Sequence, residues 1–151
     1  MKSLYTILIS VITSILIGTL FMDVSSTEEQ EVISTNQEIV AFQIGAYKTL
    51  ENATKISDLY DGIVIKEEEH FTVYVAILSN QINIDRMINH LNELNVYYFL
   101  KKIETPYLYK DELYKYEELM KKTTSDVAYL KLIQQSLKKY KEYYENQGST
   151  S

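Results

Sequence analysis

The chain of 151 residues contains no cysteine. That excludes disulfides, thiolate zinc sites, cysteine nucleophiles and a lipid anchor built on an acylated cysteine. Tryptophan is also absent, and there are only one proline and four glycines. No glycine-rich loop can cradle a phosphate, and neither a Gly-x-Ser-x-Gly elbow nor a His-Glu-x-x-His pair occurs. The two histidines, His70 and His90, fall in a predicted turn and on a predicted helix, with no spacing that makes a metal site. Carboxylates are too common here to nominate an acid and a base. These absences leave no case for an enzyme, and they imply no cofactor and no metal.

Positive charge is scarce for most of the chain. Only Lys2, Lys48, Lys55, Lys66 and Arg86 precede Lys101, and the net charge is −6. The acidic excess lies within residues 1–100, while residues 101–151 are slightly basic. An acidic module without a basic patch does not suit a phosphate backbone, so nucleic acid is not an expected partner. The run Glu67-Glu68-Glu69 reads as a solvated turn. Asn52-Ala53-Thr54 matches a glycosylation sequon, but it sits on a predicted helix.

What is present begins with Leu4–Met22, an uncharged run of 19 residues. That is long enough to cross a hydrocarbon core of roughly 30 Å. No Ala-x-Ala-like cleavage site follows it, so residues 1–22 read as an uncleaved transmembrane anchor rather than a removed signal. Lys2 precedes the run and the next basic residue is Lys48, which puts the N-terminus in the cytoplasm and the remainder outside. Residues 23–38 are polar and acidic and read as a flexible linker.

Ile39 to Tyr47 alternates as a strand and leads into a helix over 50–60, capped by Thr49 and closed by Asp61-Gly62, with glycine expected in the left-handed conformation. Alternation puts Gln43, Gly45 and Tyr47 on one face and Phe42 and Ile44 on the other. Ala53, Ile56 and Leu59 form the inward face of the helix. Ile63–Lys66 is a second strand and Phe71–Leu78 a third, with Val73, Val75 and Ile77 inward. Asn83 is the expected cap of a second helix that Asn95 closes, and Val96–Ile103 is the fourth strand. Thr72–Leu78 can be laid on Ala41–Tyr47, so the strand-helix-strand unit recurs at about 31 to 33 residues. Two such halves predict an α+β fold, a ferredoxin-like βαββαβ four-stranded antiparallel sheet with two helices on one face.

Phe42-Gln43-Ile44-Gly45-Ala46-Tyr47, followed by Glu51-Asn52-Ala53, resembles the first half of a SPOR domain. The second half departs from that family, since Val75-Ala76-Ile77-Leu78 stands where the family has Val-Gly-Pro-Phe. The resemblance covers residues 39–104. It implies a non-catalytic module that binds peptidoglycan glycan strands stripped of their peptides, at sites of division, sporulation or wall remodelling in the bacterial envelope. It implies a glycan-binding role for Gln43 by motif and for Tyr74 by position. Gly45, Tyr47 and Tyr98 complete the expected patch, with Tyr97 and Phe99 as further candidate rings. Tyrosine rings offer apolar area to sugar C–H groups, and amides hydrogen-bond the hydroxyls.

Residues 105–146 are helical by composition, over 107–122 and again over 126–144, and 147–151 read as a disordered tail. Leu130, Ile133, Leu137, Tyr140 and Tyr144 make a packing stripe. These helices either fold back on the module or pair with another chain. The rival expectation follows from them: a protein–protein adaptor or regulator of an envelope complex whose glycan site is lost.

Overall fold

The structure is a computed structural model and describes residues 38–148, without the side chains of 147 and 148. The expected anchor over 1–22, the linker as far as residue 37 and residues 149–151 lie outside the described residues. Among the described residues no helix is long and apolar enough to cross a membrane.

The elements run β1 (Val40–Tyr47), α1 (Leu50–Leu59), β2 (Ile63–Glu67), β3 (His70–Leu78), α2 (Gln81–Glu93), β4 (Phe99–Lys102), α3 (Tyr107–Lys122) and α4 (Asp126–Gly148). The fold is α+β, with one antiparallel four-stranded sheet in the order β2-β3-β1-β4. The two middle strands are therefore the first and third in sequence, and β2 and β4 are the edges.

Local chemistry explains most element ends. Thr49 is extended and its hydroxyl accepts the Asn52 N–H at 3.4 Å, capping α1. Asn95 closes α2 with φ 54°, a conformation that asparagine tolerates. Four details differ from the sequence reading. At the end of α1 it is Asp61, with φ 52°, that takes the left-handed position, and among the described residues no glycine has positive φ. Gly62 is needed for another reason, since a Cβ there would stand 2.7 Å from the Tyr74 carbonyl oxygen. Asn80, not Asn83, caps α2, accepting the Ile82 N–H at 3.0 Å. Asn83 is buried instead and donates to the Glu117 carbonyl at 3.2 Å.

The fourth difference is the length of β4. Val96 turns its N–H back to the Leu91 carbonyl at 3.0 Å, which closes α2 rather than extending a ladder. Pairing with β1 therefore begins only at Phe99. The inward faces of the helices are also narrower than expected. Ala53 and Ser57 are buried on α1 while Leu59 is exposed, and Leu94 beyond α2 is exposed as well.

The C-terminal helices fold back. α3 and α4 pack on each other, and α4 lies against β3 and β2. From Thr72 to Leu78 every residue of β3 is buried, so both sides of that strand are covered. Tyr109 of α3 meets the Tyr140 ring of α4 edge-on at 5.0 Å, and its hydroxyl hydrogen-bonds Ser136 at 3.0 Å. Burial pushes the Tyr109 phenol well above its ordinary value, so it stays a neutral partner. Apolar residues from Ile39 to Tyr140 form one continuous core across the sheet and helices α2, α3 and α4.

Glu117 locks this arrangement. It is 2 % exposed, and its carboxylate accepts the Ser79 and Asn80 N–H groups at 2.9 and 2.8 Å and the Ser79 hydroxyl. Those amides are the turn between β3 and α2, so α3 is pinned where the helix dipole favours a negative charge. Replacing Glu117 by Ala strands these donors, and we expect a loss of about 3 kcal/mol in urea unfolding. Gly62→Ala, facing a backbone oxygen it cannot displace, is expected to cost about 1–3 kcal/mol by the same assay.

Candidate polar site on the open half of the sheet

The register of β1 decides which side chains share a face. Gln43 pairs with Tyr74 and Gly45 with Val73, with irregularities on either side of Gln43. Tyr74 and Val73 are neighbours along β3 and point to opposite faces. Gln43 and Gly45 therefore also lie on opposite faces, because the bulge inserts one residue into the alternation. Ala46, paired with Thr72, joins the Gln43 face, whereas Tyr47, paired with Phe71, joins Gly45. The Tyr47 ring lies over Gly45, so close that a Cβ at 45 would stand 2.6 Å from its hydroxyl.

Of the five residues expected to bind glycan, the structure keeps only Gln43 on an accessible polar surface. Gly45 and Tyr47 are turned away by the bulge. Tyr98 is half-buried, its ring 5.6 Å from that of Phe42, which alternates with Gln43 to the opposite face. Tyr74 shares a face with Gln43 but is 0 % exposed, since α4 lies against its strand. Its ring has no surface left to offer a ligand.

The uncovered part of the Gln43 face is a shallow depression lined by Gln43, Ala46, Glu67, Glu68, His70, Thr72 and Lys101. Its floor is a hydrogen-bonded cluster. The Tyr74 hydroxyl donates to one Glu67 oxygen at 2.6 Å. The other Glu67 oxygen accepts from Thr72 at 3.2 Å and from the Lys101 ammonium at 2.7 Å. Lys101 also reaches the Tyr74 hydroxyl at 3.2 Å. Burial works to raise the Glu67 pKa, but the bonds from Lys101, Tyr74 and Thr72 outweigh it and leave the carboxyl below its ordinary value. Burial, then the Glu67 bond and charge, drive the Tyr74 phenol far above its ordinary value. Tyr74 is thus a permanent donor and Glu67 a permanent carboxylate near neutrality.

Phe99 completes the surface. It pairs with Gln43 across the β1–β4 ladder and so stands on the same face, 71 % exposed. A flat ring, a primary amide and an ion pair thus share one face of the sheet, with the buried Thr72 hydroxyl beneath them. Such a patch presents apolar area together with hydrogen-bond donors and acceptors. Among the described residues no group of three or more histidines or carboxylates is placed to hold a metal ion. The roles of Glu67, Thr72 and Lys101 were invisible in the sequence, which showed them only as a charged turn and scattered polar residues. The pairing of Gln43 with Phe99 was within reach, given a shorter fourth strand.

The depressed Glu67 pKa carries a sign. A carboxyl with a lower pKa folded than unfolded contributes stability above its unfolded value, and that contribution is lost as pH falls through the folded one. Thermal stability of the protein is expected to drop as pH falls below 4.5, the ordinary value for this carboxyl. Glu67→Gln should lower stability at neutral pH and flatten that dependence, as read from Tm across a pH series. Comparison with protein-family models, curated proteins and solved structures finds no match to this chain.

Proposed function

We propose that the protein is a membrane-anchored, non-catalytic binding module of the bacterial envelope whose open half-sheet holds glycan strands of peptidoglycan. In this reading residues 4–22 span the membrane, with the N-terminus in the cytoplasm and the described residues outside. The βαββαβ part is a ferredoxin-like module of the SPOR type that the first strand resembles, extended by α3 and α4. The observation that carries the proposal is the pairing of Gln43 with the exposed Phe99 beside the Glu67–Lys101–Thr72 cluster. An apolar ring face takes the C–H side of a pyranose, while the amide and the cluster supply donors and acceptors for its hydroxyls. Lys101 also suits the carboxylate that a muramic acid regains when its peptide is removed. The ligand rests on a preformed surface, and no bond is made or broken.

One observation favours a second reading, a protein partner. Tyr97, Phe99 and Leu100 are all exposed at or beside the β4 edge of the sheet, and exposed apolar side chains gathered in this way mark an interaction surface.

Co-sedimentation of the detergent-solubilised full chain with purified sacculi separates the two. Binding that rises after an amidase strips the stem peptides, and falls about tenfold in the Gln43→Ala, Phe99→Ala double variant, is the expected result. Protein that remains in the supernatant under both conditions favours the protein partner.

A further inference from the structure

The two edges of the sheet differ. On the β2 side the Tyr144 hydroxyl of α4 donates to the Lys66 carbonyl at 3.3 Å, so the tail occupies that edge. On the other side, among the described residues, β4 pairs with β1 alone, and all four of its residues are exposed.

The hydrogen-bond phase of β4 is known. The Ile103 N–H donates to the Ile39 carbonyl at 3.0 Å, in step with the β1–β4 register. In an antiparallel ladder alternate residues bond the same neighbour. Lys101 and Phe99 therefore also turn their backbone groups to β1. Leu100 and Lys102 direct theirs away from the sheet, where no strand among the described residues pairs with them. An open edge of this kind, flanked by exposed apolar side chains, is a template for another strand.

We infer that the edge is an interface with a second copy of this chain, two β4 strands pairing antiparallel about a two-fold axis through Leu100. The sequence of the strand selects that occupant and that register. With Leu100 opposite Leu100 of the second copy, the outward N–H and C=O groups satisfy each other. Lys101 then falls opposite Phe99 of the second copy, and Lys102 opposite its Tyr98. Lys101 of each copy thus faces the exposed Phe99 ring of the other, which is favourable, and no two lysines are apposed. Sliding the pair by one step toward the C-terminus would set Lys101 against Lys101. Sliding it the other way would require Tyr97 and Val96, and Val96 is already committed to the α2 turn. The result is an eight-stranded sheet with the two polar depressions on the same face. This inference stands on the edge geometry alone and does not need the depression to bind sugar.

The chain has no cysteine of its own, so a single introduced thiol reports proximity without background. In the full-length protein Leu100→Cys should be captured as a covalent dimer by a short bis-thiol reagent. Val127→Cys, exposed near the start of α4, should stay monomeric. Failure of Leu100→Cys to cross-link above Val127→Cys overturns the proposal. Leu100→Pro removes the outward N–H and leaves the β1 ladder intact. It should reduce the sedimenting mass about twofold, with Tm and circular dichroism near wild type. A Leu100→Pro protein that folds and still sediments as a dimer also overturns it.

Discussion

The contact between α4 and the β2–β3 half of the sheet governs the rest of the molecule. A four-stranded sheet with two helices on one side encloses only a modest core, and small domains are correspondingly marginal. Here the α3–α4 hairpin adds Tyr109, Leu113, Met120, Tyr129, Ile133, Leu137 and Tyr140 to that core. β3 becomes a strand buried on both faces, and its run Val73 to Leu78 is almost wholly apolar, as such strands are. The anchoring is polar as well as apolar, because Glu117 satisfies the backbone donors of the β3–α2 turn that would otherwise lack partners.

That coverage is uneven, and the unevenness creates the surface. α4 reaches β2 and β3 but does not pack on β4, which stays exposed along its whole length. Tyr74 marks the frontier. Its ring is sealed under α4, yet its hydroxyl reaches the floor of the open depression through Glu67 and Lys101. One tyrosine thereby joins the packed half of the sheet to the polar half. The same residue explains why an aromatic nominated by its place in a repeat is not an aromatic a ligand can touch.

The bulge in β1 is the second decision made by the fold. A single residue out of step moves Gly45 and Tyr47 to the far face and leaves Gln43 with Ala46, Thr72 and Phe99. Period-two alternation is strict only while pairing is regular. Gly45 is the one local hint, since a glycine inside a strand often marks a bulge, but it does not say which residue is displaced. Gln43, Gly45 and Tyr47, expected on one face, are therefore split between two faces of the sheet.

Much of the local structure was legible because it depends on residues near in sequence. The Thr49 cap, the left-handed Asn95, the apolar spacing of α3 and α4 and the strand character of β1 to β3 are interactions over a few positions. Asn83 shows the limit, for it looks like a cap and is instead a buried tie to Glu117, distant in sequence. Gly62 shows another, conserving space for a strand carbonyl rather than a backbone angle. By itself the sequence determined the order of helices and strands and the four-stranded α+β architecture, since periodicity and capping are local. Only the tertiary structure decided which sheet face stays open, which aromatic stands beside Gln43 and which edge is free. Those outcomes depend on where a distant helix comes to rest and on the irregular pairing around Gln43, and neither is set by residues near in sequence.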